Sequence, residues 1–486
     1  MRWEEGGGGL FPGFREYVLL RTKLAVGRDY ANEGAGFGLA SGARRLTLGR
    51  MTKPFKAAAT TDAWALAVQL LVRWLDNHER VDALLDSLAR SLGRAERGRC
   101  QHLLFGAVRH LGRIEAIFTP LLARPPRSTV KAVLLIAGYE LIEGGAEGHV
   151  ARVVHHAVEQ TKTLASAPEA KLVNAVVRKI ATALDAQKAP AKLAHFSELA
   201  AYYSHPEWMV KRWLAQFGAE ETRALLDWNQ KPAPVYARWR LTDRLPEGDD
   251  AAILVPTQWK GFYEVKSGSW PRIEALIADG TLFLQDPATG HAIDLLAPKA
   301  GETILDACAA PGGKSLAIAD LMGSGRVVAI DLPGPRIDRL KQNLSRAKGA
   351  DVALVQGDLM QAEKEGLFKQ HALPEVFDAV LVDVPCSNTG VMRHRVDVKW
   401  RLQIADFAKH ARQQGDLLSS AARFVAPGGR LLYSTCSLDA EENEGVIKLF
   451  LEKTRGRYKV EAKHQSLPWV DGHDGAAAYL LRKSAD

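Results

Sequence analysis

The chain has 486 residues, 47% of them hydrophobic and 25% charged, with a formal net charge of +8. That is ordinary globular composition, enough for about three domains with their own cores, and the basic excess fits a polyanionic partner such as nucleic acid. Cys100, Cys308, Cys386 and Cys436 form no C-x-x-C pair, which excludes a zinc knuckle or thioredoxin-like motif, and no metal is expected. No apolar run reaches the roughly 18 residues of a membrane span and no leader-like segment is read, so the expectation is a reduced, cytoplasmic protein without a membrane partner.

Residues 1–50 hold 11 of the 42 glycines, including Gly6-Gly7-Gly8-Gly9, and lack any sustained hydrophobic period. Such a segment buries too little apolar surface to offset its ordering entropy. Met51-Thr52-Lys53-Pro54 reads as an alternative start. Residues 1–54 are expected to be a disordered extension or a misassigned start.

Residues 55–189 are expected to form an all-α domain. Asp62 is a good N-cap, and Leu66, Leu70, Leu71 and Trp74 recur at the spacing of one helix face. Leu103, Leu104, Val108 and Leu111 mark a further helix, Val130, Val133, Leu134, Ala137 and Leu141 another, and Val153, Ala157, Val158, Thr161 and Leu164 continue the series. Pro120, Pro125 and Pro126 interrupt the run. Arg94, Arg97, Arg99, Arg109, Arg113, Arg124, Arg127 and Lys131 form either an RNA-facing surface or an ordinary solvated one.

Residues 190–295 mix helix and strand and carry Trp208, Trp213, Trp228, Trp239, Trp259 and Trp270. A small α/β linking domain is expected, its aromatics serving either as core or as RNA-stacking surfaces. From 296 to 486 apolar strands alternate with amphipathic helices. Strands are expected at Thr303–Cys308, Arg326–Leu332, Val352–Gln356, Phe377–Val384 and Arg430–Thr435, and helices at Gly313–Met322 and Arg336–Lys348. That alternation predicts a doubly wound parallel sheet, Rossmann-like, with strands buried on both faces.

The first of these strands runs into Asp306-Ala307-Cys308-Ala309-Ala310-Pro311-Gly312-Gly313-Lys314-Ser315. A glycine turn from strand to helix lets backbone approach a ligand closely. The segment is not a Walker A loop, because Cys308 stands where that motif requires its leading glycine. Asp331 and Asp358 end the next two strands. Carboxylates so placed accept hydrogen bonds from ribose hydroxyls or an adenine amino group. They suit a nucleoside cofactor without phosphates, such as S-adenosylmethionine, whose sulfonium they would attract.

Asp383-Val384-Pro385-Cys386 and Ser434-Thr435-Cys436-Ser437 then place two cysteines at the carboxyl ends of two strands. Open α/β sheets bind their ligands at that edge. A pyrimidine C5 is a poor nucleophile until a thiolate adds across the C5–C6 bond, so a thiol pair there points to covalent methyl transfer onto that carbon. An ordinary cysteine, with a pKa of about 8.5, is mostly thiol at neutral pH. Lys314 and the sulfonium are candidate activating charges, and Asp383 is a candidate to donate a proton towards N3 of the base. Chemistry alone leaves open which thiol attacks.

The segments Asp306–Ser315, Asp383–Trp400 and Tyr433–Asn443 resemble three signature motifs of the RNA 5-methylcytosine methyltransferases. The helical half resembles the NusB-like fold, and the two together are similar to bacterial cytosine-5 methyltransferases of 16S ribosomal RNA. The resemblance implies a class I methyltransferase domain using S-adenosylmethionine, small-subunit ribosomal RNA as partner, and a monomer. It implies that Cys436 attacks C6 and that Cys386 assists C5 deprotonation or release. It assigns Cys308, Ala309, Ala310, Pro311, Gly312, Gly313, Lys314, Asp331, Asp358 and Asp383 to the cofactor pocket, with Asp383 also facing the base. Asn388, Arg393, Lys399, Trp400 and Arg401 follow Cys386 and are candidates to grip a flipped nucleotide. Ser315 and the phrase Asp474-Gly475-Ala476-Ala477 depart from the family pattern. The alternatives are a catalytically silent RNA-binding module, an exocyclic-amine methyltransferase, and a cytosine-5 enzyme acting on another RNA.

Overall fold

In the computed structural model, the structure describes residues 62–89, 91–192 and 194–485. The expected extension at 1–54 lies outside them. Among the described residues no helix is long and apolar enough to cross a membrane.

Helices Ala63–Asn77, Val81–Asp86, Arg94–Arg109, Leu111–Phe118, Ser128–Glu143, His149–Leu164 and Ala167–Ala186 build the first layer. The Asp62 side chain caps the first by accepting from Trp64 N at 3.0 Å. Leu70, Leu71, Trp74, Leu103, Leu104, Val108, Val133, Ala137 and Ala157 meet in one core. Leu111 does not continue the helix of Leu103: the chain leaves helical geometry at His110 (φ −101°, ψ 10°), and Leu111 opens the next helix.

A kinked helix, Glu207–Gln230, leads into strands β1 (Tyr236–Trp239), β2 (Leu254–Pro256), β3 (Phe262–Val265) and β4 (Leu282–Leu284). They pair antiparallel in the order β2-β3-β1-β4. The tryptophans serve mainly as packing: Trp213 is fully buried and Trp239 nearly so, while Trp270 alone of the six is more than one-third exposed. Arg240 locks this small sheet to the next domain. Its Nε and Nη2 donate to both oxygens of Asp320 at 2.9 Å, and its Nη1 donates to the carbonyls of Gly280 and Arg346.

The last domain adds β5 (Thr303–Asp306), β6 (Arg326–Asp331), β7 (Asp351–Gln356), β8 (Phe377–Asp383), β9 (Val425–Thr435), β10 (Tyr458–Ser466) and β11 (Ala476–Lys483). Their order is β10-β11-β9-β8-β5-β6-β7. The five strands from β9 to β7 are parallel, as expected, and β11 and β10 extend them antiparallel. The sheet is therefore mixed. Alternate residues feed opposite cores: Leu305, Val380 and Leu431 face the helix Ile404–Ala421, whereas Ile304, Leu381 and Leu432 face Ala288–Leu296 and Gly313–Met322. Strand order reverses direction between β8 and β5, and an open α/β sheet gathers its ligands at such a switch point.

Candidate active site

The loop that leaves β5 is held by backbone contacts from both neighbouring strands. Ala307 N donates to Leu381 O at 2.8 Å and Ala309 N to Ile330 O at 3.1 Å. Gly312, at φ 103°, makes the turn into helix Gly313–Met322. Asp331 accepts from Ala310 N and Leu332 N at 2.8 and 2.9 Å, so it staples this loop while keeping acceptor capacity. Asp358 caps helix Leu359–Glu365 through Met360 N at 2.9 Å. Asp306 is buried beneath the loop and accepts from Ser315 Oγ at 2.6 Å. Burial, opposed by that hydrogen bond and reinforced by Asp383, pushes its carboxyl up to about 6. Cys308 is half-buried, and its thiol lies far above the ordinary cysteine range through burial first and the neighbouring carboxylates second. It packs as a neutral thiol.

Lys314 Nζ donates to Asp383 Oδ2 at 2.6 Å, and Ser434 Oγ donates to Asp383 Oδ1 at 2.8 Å. Burial works against the ammonium, but Asp383 outweighs it with help from Asp306 and Cys436, leaving Lys314 above the ordinary lysine range. The sequence suggested Asp383 as a proton donor towards N3. In the structure both of its oxygens accept, one from Lys314 and one from Ser434.

β8 and β9 are neighbours in register, Asp383 opposite Ser434, so the residues just past their ends meet. Cys386 Sγ and Cys436 Sγ lie 2.9 Å apart, and both thiols are free. Asn388, in left-handed conformation at φ 62°, donates from Nδ2 to Cys386 O at 2.7 Å and sets Oδ1 3.4 Å from Cys436 Sγ. The Cys386 thiol is pushed well above its ordinary range, first by its hydrogen bond with Cys436, then by burial and by the charge of Cys436 and Glu442. Cys436, Lys314, Asp383 and Ser434 line one cleft of about 550 Å³, whose far wall carries Asp286, His291, His464 and Asp474.

Sequence reading missed that far wall. Asp286 and Asp474 are both pushed up, primarily by burial, and His291 is pushed down to about 4 by burial and by His464 and His473. Ser434 was legible as part of its phrase, but no local pattern marks Asp286.

Of the five candidates for a nucleotide grip, Asn388 stays beside the cysteines, while Arg393, Lys399 and Trp400 are drawn to other elements. Arg393 is buried, stacks 4.1 Å over Trp228 and accepts from Arg109 Nη2 through its carbonyl at 3.0 Å. Lys399 is buried and donates to Arg109 O at 2.8 Å, while Trp400 Nε1 donates to Val108 O at 2.9 Å. Arg401 pairs with Asp397 at 2.7 Å. The segment after Cys386 is thus a strap onto the helical domain, whose core includes Val396. Most residues of the expected basic surface make contacts within the chain, yet Arg94, Arg99, Arg124 and Arg127 stay exposed. Arg94 pairs with Glu274, Arg99 with Glu140, Arg127 with Glu169 and Lys131 with Glu115. Arg97 donates to carbonyls of residues 85–89, Arg113 to Gln187 and Arg109 to Arg393.

The model of the family described as 16S rRNA methyltransferase RsmB/F matches residues 293–474, and the NusB family model matches residues 61–182. A ribosomal RNA small subunit methyltransferase B from Sodalis glossinidius (strain morsitans) is 32% identical over 403 residues, covering 79% of this chain and 88% of that protein. The chain belongs to the RsmB/F methyltransferase family. The family member from Klebsiella pneumoniae (strain 342), with the same name, is 30% identical over 80% of this chain and 89% of its own. The crystal structure titled PH0851 has a TM-score of 0.66 at 22% identity, covering 87% of this chain and 99% of that one, and shares the fold. The chain is accordingly a methyltransferase, as its motifs predicted.

The donor set of the β5–β8 edge fits S-adenosylmethionine. Carboxylates of Asp331, Asp358 and Asp383 suit hydroxyls, an amino group and a sulfonium. The one lysine in the loop is already paired with Asp383.

Proposed function

We propose that this enzyme transfers a methyl group from S-adenosylmethionine to C5 of a cytosine in small-subunit ribosomal RNA, through a transient bond between Cys436 and C6. The carrying observation is the 2.9 Å separation of the Cys386 and Cys436 sulfurs, with Cys436 lining the same cleft as Lys314 and Asp383. The names of the relatives, ribosomal RNA small subunit methyltransferase B, support the choice of RNA.

The bound cofactor supplies an electrophilic methyl, held by the loop from Cys308 to Lys314 with Asp331, Asp358 and Asp383. Cys436 attacks C6, and the electron pair moved into the ring makes C5 nucleophilic. Lys314, anchored by Asp383 and lining the same cleft as Cys436, is placed to offset that charge. After C5 is methylated, its proton leaves to water, the C5–C6 double bond re-forms, and Cys436 departs as thiolate. Cys386 retains its proton and so donates to the departing sulfur. The choice of Cys436 as nucleophile rests on the family resemblance of its Thr-Cys phrase; the Cys386 thiol, pushed up by its bond to Cys436 and by burial, is compatible with release.

The test uses labelled S-adenosylmethionine with 16S ribosomal RNA. Label should appear on cytosine C5 with the full chain, and Cys436→Ala should abolish both label and covalent adduct. Cys386→Ala should accumulate a denaturant-resistant protein–RNA complex, since general acid–base assistance contributes roughly 100- to 10,000-fold. Label on an exocyclic amine, or clean turnover by Cys436→Ala, refutes the proposal.

A further inference from the structure

Resting on the thiol chemistry just proposed, the geometry points to Glu442 as a positioning residue that clamps the two cysteine loops together and keeps the roles of their sulfurs apart. Glu442 is fully buried. Its Oε1 accepts from Ser387 N and from Gln414 Nε2, both at 2.9 Å. Its Oε2 accepts from the hydroxyls of Ser387 and Ser437. Four donors converge on one carboxylate, and the two serines directly follow Cys386 and Cys436.

The clamp is biased towards Cys386. Gln414 Nε2 also donates to Pro385 O at 3.0 Å, so Glu442 and Gln414 together hold the chain immediately before and after Cys386. Cys436 is reached only through Ser437. Tyr433 fixes the other side by donating to Glu442 O at 2.5 Å, and Asn443 ties Thr435 Oγ1 and Ser437 O at 2.7 and 2.9 Å. A buried carboxylate with this donor set does not move without breaking several bonds at once.

Glu442 has a second consequence besides holding distance. The ionisable groups facing Cys386 are Cys436, Glu442 and the Tyr433 hydroxyl, whereas Cys436 faces Lys314 and also Asp474, whose carboxyl burial pushes well above the usual range towards its neutral form. Negative charge on one side and positive on the other keeps the proton of the pair on Cys386. The carboxylate touches neither sulfur's substrate nor the cofactor loop, and acts through the serines.

Wild-type enzyme is assayed first; absence of label at C5 or of a Cys436-dependent adduct would overturn the proposed function and leave Glu442 to be judged as a fold residue. With that established, Glu442→Gln should lower kcat by at least about tenfold, since small misplacements at reacting groups have effects of that size or larger. KM should stay within about twofold. The alkaline limb of the kcat–pH profile should move down by about one pH unit as Cys386 loses its facing charge, and Glu442→Asp should restore part of both. An unchanged limb with wild-type kcat overturns the inference. If Glu442→Gln fails to fold, Ser387→Ala and Ser437→Ala decide. Each removes one donor and keeps the charge, so each should lower kcat with the alkaline limb in place; wild-type kcat in both overturns the clamp.

Discussion

Arg240→Met tests whether the small sheet is fastened to the methyltransferase domain by one buried ion pair. Arg240 and Asp320 side chains are 1% and 2% exposed, and they share two hydrogen bonds of 2.9 Å. Removing one partner of such a pair costs about 3–5 kcal/mol, because the other charge stays buried. Arg238 still donates to Asp320 Oδ2 at 3.0 Å, which places the loss near the lower end. The carbonyls of Gly280 and Arg346 each also lose a donor. A total of about 3 kcal/mol converts to a fall in Tm of roughly 6–12 °C for a domain of this size. Unfolding of a multidomain chain need not be two-state, so hydrogen exchange should accompany calorimetry. Exchange should rise in β1, β4 and the helix Gly313–Met322. The double variant Arg240→Met with Asp320→Leu should recover more than half of the loss, since an apolar pair is often neutral where a half-pair is not. A single variant within about 1 °C of wild type, or a double variant no better than the single, refutes this reasoning.

Other consequences follow from the same contacts. Asp306 binds its proton more tightly folded, at about 6, than unfolded, at about 3.9. Its stabilising contribution is therefore complete below pH 4 and lost as pH rises through 6, a difference of about 3 kcal/mol. Urea melts between pH 4 and 7.5 should show a shallower decline in Asp306→Asn, and parallel curves would contradict it. Gly390→Ala would set a Cβ 2.4 Å from Gly475 O and 2.8 Å from Cys436 O. Both atoms are backbone, so no side chain can swing aside and the Cys436 loop must shift; kcat should drop more than about tenfold at a cost of about 1–3 kcal/mol. Gly415→Ala, with nothing within 4 Å on helix Ile404–Ala421, should instead stabilise by about 0.5–1 kcal/mol. Equal effects of the two substitutions on activity would sink the packing argument.

The parallel strands and the loop from Asp306 to Ser315 were legible because the central strands, buried on both faces, carry unbroken apolar runs, and a glycine turn marks itself locally; the edge strand β7 is only partly buried but keeps an apolar run of its own. β10 was not, since Tyr-Lys-Val-Glu-Ala-Lys-His-Gln-Ser is the polar, charged sequence of an edge strand. β11 was also missed: it opens on three alanines, with little to separate it from a loop.

By itself, the sequence determined the chemistry available: two cysteines and three aspartates at or just past strand ends, and a lysine opening the helix that follows the glycine turn. Only the tertiary structure decided which groups meet. The two sulfurs come from positions 50 residues apart, and they touch because β8 and β9 pair in register. The same folding ties the Arg393 carbonyl, Lys399 and Trp400 to the helical domain and buries the Arg393 and Lys399 side chains. A side chain's type follows from local sequence; its partner follows from the packing of distant segments, which no local period encodes.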